Sequence, residues 1–168
     1  APNLPGWDEP VDLAPALRER LGDGEVRVDN DVNAAARAEA LMGAGRGSPD
    51  LLAVFVGTGV GGGLVLDGVV RRGAHGMAGE IGHLVVVPDG EPCGCGCRGH
   101  VEAYAGRAGI ERIARRRHAA GEPTRLVELA GEGRMKSSVV ATALAEGDAM
   151  AHELVETGAL VVGRAVAQ

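Results

Sequence analysis

Residues 51–73 read LLAVFVGTGVGGGLVLDGVVRRG, and the order in which apolar runs and glycines alternate there decides the fold class. Leu51 to Val56 is a short continuous apolar run with the composition of a buried strand. GTGVGGG follows, and LVLDGVVRRG then reads as a second strand that ends in a turn. Gly57, Gly59 and Gly62 match GxGxxG. A dinucleotide fingerprint, however, needs a helix to open directly after the glycines, so that its N-terminus faces the pyrophosphate. Here an apolar strand follows instead, and no GK[ST] ending makes a Walker loop. Two readings remain for Gly57, Thr58, Gly59, Gly61 and Gly62. One is a tight hairpin; the other is a glycine hairpin whose backbone N–H groups cradle phosphate oxygens.

Outward from this segment the pattern is α/β. Asp12 to Leu21 reads as an amphipathic helix, and Glu25 to Asp31 (EVRVDND) alternates like a strand. Val32 to Gly45 is an alanine-rich helix with a glycine stop. Asp31 therefore stands where strand gives way to helix N-terminus, the ordinary place of an N-cap. GRGSPD, from Gly45 to Asp50, has linker composition, which divides the chain into residues 1–48 and residues 49–168. Helical periodicity dominates from Val101 onward, through VEAYAGRAGIERIARRRHAAG, VVATALAEG and the final DAMAHELVETGALVVGRAVAQ.

Between sheet and helices lies GEIGHLVVVPDGEPCGCGCRGHVE, Gly79 to Glu102. Cys93 and Cys95 flank one glycine, His100 follows, and His83 sits upstream on what reads as a strand. Two thiols and two imidazoles suit tetrahedral zinc. Cys97 lies in the same loop and competes with His100 for the fourth position. An odd cysteine count argues against a disulfide framework.

Composition bounds the partners. The 168 residues carry 23 acidic against 17 basic side chains, with one Phe, one Tyr and one Trp. That balance argues against nucleic-acid binding, and RIARRRH, Arg112 to His118, reads as a solvated helix face. No apolar run is long enough to span a bilayer, and the expected compartment is the cytoplasm. Starting at Ala1 and stopping at Gln168 within an apolar-periodic segment, the sequence has the look of a piece of a longer protein.

Taken together, the motifs resemble the ROK family of repressors, open reading frames and sugar kinases, in its glucokinase-like branch. The likeness runs through PNLPGW (Pro2 to Trp7), DNDVNAAA (Asp29 to Ala36), GTGVGGG, AGEIGH (Ala78 to His83) and CGCGCRGHVEAYAG (Cys93 to Gly106). It implies an actin-like, ribonuclease-H-like fold, present here in part, with residues 1–48 closing a small domain and residues 49–168 belonging to a large one. By the same resemblance Asn30 and Asp31 bind a hexose, most often glucose, with Asp31 as general base toward the hydroxyl that receives the phosphoryl group of ATP. Glu80, His83 and Glu102 complete the sugar pocket, and Gly57, Thr58, Gly59, Gly61 and Gly62 hold phosphate. Mg²⁺ accompanies ATP, and His83, Cys93, Cys95 and His100 hold structural zinc. A homodimer and a place in glycolysis are implied as well.

Where the family reads CxCGxxGC, this chain has His100 for the last cysteine and an additional Cys97. The family's first phosphate loop and its C-terminal adenosine-side glycines have no counterpart, so the chain resembles the middle of such a kinase, inactive in isolation. A sugar-responsive regulator with its DNA-binding segment elsewhere is the competing class. A zinc-stabilised interaction fragment is a third.

Overall fold

A computed structural model describes residues 11–22 and 24–168. The resemblance placed on Pro2 to Trp7 lies outside them. Two helices open the described chain, α1 (Leu13–Leu21) and α2 (Asp31–Met42). Three strands then form one antiparallel sheet in the order β1 (Leu51–Val56), β2 (Val60–Leu66), β3 (Val69–Arg71). A 3-10 turn, Ile81–His83, and the cysteine-bearing loop lead into five helices: α3 (Val101–Ala105), α4 (Arg107–Ala119), α5 (Arg125–Ala130), α6 (Ser137–Ala145) and α7 (Ala149–Val166). No described helix is long and apolar enough to cross a membrane.

The strands pair from Leu51 opposite Val65 to Val56 opposite Val60, so the β1–β2 connection is only Gly57, Thr58 and Gly59. Gly61, Gly62 and Gly63, read as loop from the sequence, stand inside β2. A second hairpin divides what reads as one strand in LVLDGVV. Asp67 and Gly68 both take positive φ, 53° and 73°, the requirement of a primed two-residue turn whose twist matches the flanking strands.

Alternation along the strands gives the sheet two covered faces. Ala53 and Val65 meet Ala36 of α2 on one side, with Leu51 and Phe55 around them. Val60, with Val54 alongside, faces Ile81, Val101 and Ala105, and α7 closes that side with Val161 and Ala165. The glycines of β2 permit both approaches. A Cβ on Gly61 would fall 2.7 Å from a methyl of Val32, and one on Gly62 would press into the Gly79 carbonyl and stand 2.8 Å from Ile81. A separate helical core joins Ile110, Ile113 and Ala114 of α4 to Leu126, Met135, Ala143, Met150 and Leu154.

Four local expectations are corrected. Residues 25–30 form no strand and pair with none among the described residues, because alternation supplies a strand's pattern and not its neighbour. His83 lies in the 3-10 turn rather than on a strand. The helix expected from Val101 onward is broken at Gly106, whose extended ψ of 139° ends α3 and starts α4. The N-cap of α2 is Asn30, with Asp31 the first helical residue.

Candidate functional site

The site is built around the first residues of β2. On one side the N-terminus of α2 is held by Asn30, whose Oδ1 accepts from Val32 N–H at 3.0 Å and Asn33 N–H at 3.1 Å. Before it, Asp29 pairs with Arg72 just past β3, pinning the entry of α2 to the sheet. The Arg72 guanidinium holds the Asp29 carboxyl below the usual aspartate range. Asp31 is exposed at this helix start, one residue after the N-cap.

On the other side Gly79 backs onto Gly62, so the next residue, Glu80, enters the same neighbourhood. Glu102, in the first turn of α3, reaches into it directly: its Oε2 accepts from Val60 N–H at 3.0 Å. The Glu102 carboxylate is thus bonded to Val60, while Asp31 and Glu80 are the chain neighbours of Val32 and Gly79, the residues that lie against Gly61 and Gly62.

The turn ahead of β2 has unused donors. Gly57 N–H bonds to Gly59 O at 2.8 Å, while the carbonyls of Gly57 and Thr58 cap α4 through the N–H groups of Arg107 and Ala108, each at 3.0 Å. Thr58 and Gly59 keep N–H groups with no partner among the described residues.

His83, Cys93, Cys95 and His100 bring one donor atom each within 4.8 Å of one another. The Nδ1 atoms of His83 and His100 are 3.3 Å apart, as are His100 Nδ1 and Cys95 Sγ. Tetrahedral zinc at its usual bond lengths would hold two imidazole nitrogens about 3.3 Å apart, and a nitrogen and a sulfur about 3.6 Å apart. The residues present fit that ion. Cys97 is exposed and outside this group, so the geometry favours His100 as the fourth donor.

The loop is braced by short-range bonds and by α4. Val85 pairs with His100 and Pro92 with Arg98; Glu91 N–H donates to the Tyr104 hydroxyl at 2.7 Å. Arg116 grips the Glu91 carboxylate with both nitrogens, at 2.6 and 2.7 Å, which lowers the Glu91 pKa. Arg112 bonds the Pro92 carbonyl. Glu102 joins this assembly to the glycine turn, since its Oε1 is 3.8 Å from Cys93 Sγ while Oε2 holds Val60.

Sequence reasoning did not single out Arg72 or Arg107. Arg107 donates to the Thr58 hydroxyl at 2.6 Å and to Ser137 at 2.9 Å. Neither arginine lies in a motif with a chemical meaning of its own; only the fold brings each to its partner.

The ROK family model matches residues 1–168. The chain belongs to the ROK family. It is 41% identical over 144 residues to a glucokinase of Halalkalibacterium halodurans, covering 84% of this chain and 44% of that protein. It superposes with a TM-score of 0.75, at 36% identity, on the ROK family glucokinase of Streptomyces griseus solved with glucose and AMPPNP, covering 92% of this chain and 51% of that one. It also superposes, with a TM-score of 0.73 at 32% identity, on a ROK family transcriptional regulator, a homolog of the E. coli MLC protein, covering 92% of this chain and 38% of that one. The expected fold holds: the mixed α/β architecture, shared with these ROK proteins, is part of the actin-like ATPase fold. The chain spans somewhat under half the length of the curated relatives it matches.

Proposed function

We propose that this chain carries the central part of an ATP-dependent hexose kinase acting on glucose, with Asp31 as general base. The packing of the segments that carry Asp31, Glu80 and Glu102 against the start of β2, directly after a turn with two unused N–H donors, is the observation that supports this reading. Likeness to glucokinases supports it.

In the proposed reaction ATP with Mg²⁺ supplies the phosphoryl group and neutralises its charge. The chain's own residues align the acceptor. Asp31 accepts a hydrogen bond from the attacking hydroxyl and takes its proton late, because in a loose phosphoryl-transfer transition state positioning contributes more than early deprotonation. Asn30, Glu80, His83 and Glu102 hold the remaining ring hydroxyls. Gly57, Thr58, Gly59, Gly61 and Gly62 serve the phosphates in two ways: the turn offers N–H groups, while Gly61 and Gly62 let α2 and Gly79 close on β2. Zinc on His83, Cys93, Cys95 and His100 would fix the imidazole of His83 beside the sugar and brace Glu102. A homodimer, a cytoplasmic setting and a glycolytic role belong to the same proposal, as does the division into residues 1–48 and 49–168.

A ROK regulator is the second reading, favoured by the likeness to one. The experiment is ADP release by the full-length protein with Mg·ATP over a panel of hexoses and N-acetylhexosamines, beside Asp31→Asn. Turnover on glucose that falls about 10²- to 10⁴-fold in the variant, with glucose affinity kept, supports the kinase. Glucose binding without turnover in the unaltered protein favours the regulator.

A further inference from the structure

On α4, Arg115 pairs with Glu111, Arg116 with Glu91, and Arg117 with Glu122 and Glu153, whereas Arg112 and Arg107 have no carboxylate partner among the described residues; Arg112 is held by the Pro92 carbonyl. Arg107 is held by two neutral hydroxyls, Thr58 Oγ1 at 2.6 Å and Ser137 Oγ at 2.9 Å. Beside it stand the unpartnered N–H groups of Thr58 and Gly59. Positive charge and free donors therefore meet beside the turn, where the neighbouring carboxylate, Glu102, is engaged by Val60 N–H rather than by Arg107.

That place is the lip of a cleft. A cavity of about 270 Å³ is lined by Gly57, Arg107 and Ser137 together with Val140 and Leu144 of α6. It runs into a second cavity of about 430 Å³ through the shared walls Val56, Ala105, Ile110 and Val155. A largely apolar slot with a guanidinium on its wall, next to the turn that carries the free donors, suits a flat apolar group carrying a polyanion. A guanidinium binds phosphate through a planar two-pronged contact, stronger than any bond to a neutral hydroxyl.

We propose that Arg107 is a phosphate ligand of the bound nucleotide, resting on Thr58 and Ser137 until phosphate oxygens replace one or both hydroxyls. The proposal rests on the kinase reading above and adds a residue to it. Because α4 begins at Arg107 and is capped by the carbonyls of the glycine turn, guanidinium and turn move as one body and reach the phosphates together.

The test is calorimetric binding of Mg·ADP and of adenosine to the full-length protein, its Arg107→Gln variant and its Arg107→Lys variant, without turnover. Arg107→Gln is expected to weaken Mg·ADP by about 10- to 100-fold and leave adenosine within about twofold, since only phosphate contacts are lost. Arg107→Lys keeps the charge without the fork and is expected to fall between. Unchanged metal content and thermal midpoint establish that the variants fold. Unaltered Mg·ADP affinity in folded Arg107→Gln overturns the proposal and leaves the kinase reading standing; equal loss of Mg·ADP and adenosine overturns it in favour of a role in shaping the cleft. Absence of nucleotide binding in the unaltered protein overturns both.

Discussion

Replacing Gly62 by alanine, with Gly57→Ala as its companion, separates packing from flexibility within GTGVGGG. A methyl at position 62 meets the Gly79 carbonyl and stands 2.8 Å from Ile81, and the carbonyl belongs to backbone that cannot turn aside. Overpacking of this kind costs about 1–3 kcal/mol. The loss of unfolded-state freedom that accompanies Gly→Ala returns about 0.4–1 kcal/mol. The net expectation for Gly62→Ala is a loss of about 1–2 kcal/mol, or roughly 2–8 °C in thermal midpoint for a protein of this size. Gly57 has open space around its would-be Cβ and no positive φ, so its alanine variant should match or exceed the parent by a few tenths of a kcal/mol, about 1–2 °C. Thermal unfolding followed by circular dichroism on both variants reads the difference. Equal midpoints for the two would refute the claim that Gly62 is glycine because Gly79 lies against it.

Other expectations concern the metal loop and its braces. His100→Ala should lose bound zinc and unfold at lower temperature, whereas Cys97→Ala should keep one zinc per chain by elemental analysis; the reverse result would exchange their roles. Glu102→Ala leaves Val60 N–H without its acceptor and should cost about 1–3 kcal/mol in denaturant titration, while Glu102→Gln, which can still accept, should recover much of it. The Glu91–Arg116 pair gives a pH dependence. Because the folded pKa of Glu91 is lowered, its stabilisation is full above the unfolded carboxylate value of about 4.3 and is lost as pH falls through the folded value. With Arg116 more than half exposed, the pair is worth no more than about 1 kcal/mol, and Glu91→Gln should flatten the acid limb of the stability curve by that amount.

Much of the site was legible because its chemistry is concentrated in short motifs. The four Cys and His side chains that could hold a metal were nameable from residue type and spacing, and the strand after GTGVGGG excluded a dinucleotide fingerprint. What escaped was set by contacts distant in sequence. Nothing in VGGG announces that Gly61 faces Val32 and Gly62 faces Gly79, so strand glycines looked like loop. The alternation of EVRVDND has the shape of a strand, but pairing is decided by a neighbour. Asp67-Gly68 carried a turn signal of the strongest kind, masked by the apolar residues on either side. Asp29 and Arg72 are 43 positions apart, and Arg107 and Thr58 are 49 apart, beyond the reach of any local pattern.

The bond from Glu102 to Val60 closes a loop of 42 positions, whereas the two hairpins and the metal loop join residues much nearer in the chain. Loop closure makes the distant contact the slower one to form. The hairpins and metal loop are thus expected to organise early, and the carboxylate at the candidate site to arrive late. On the kinase reading proposed above, newly made chains would hold metal before they can hold sugar.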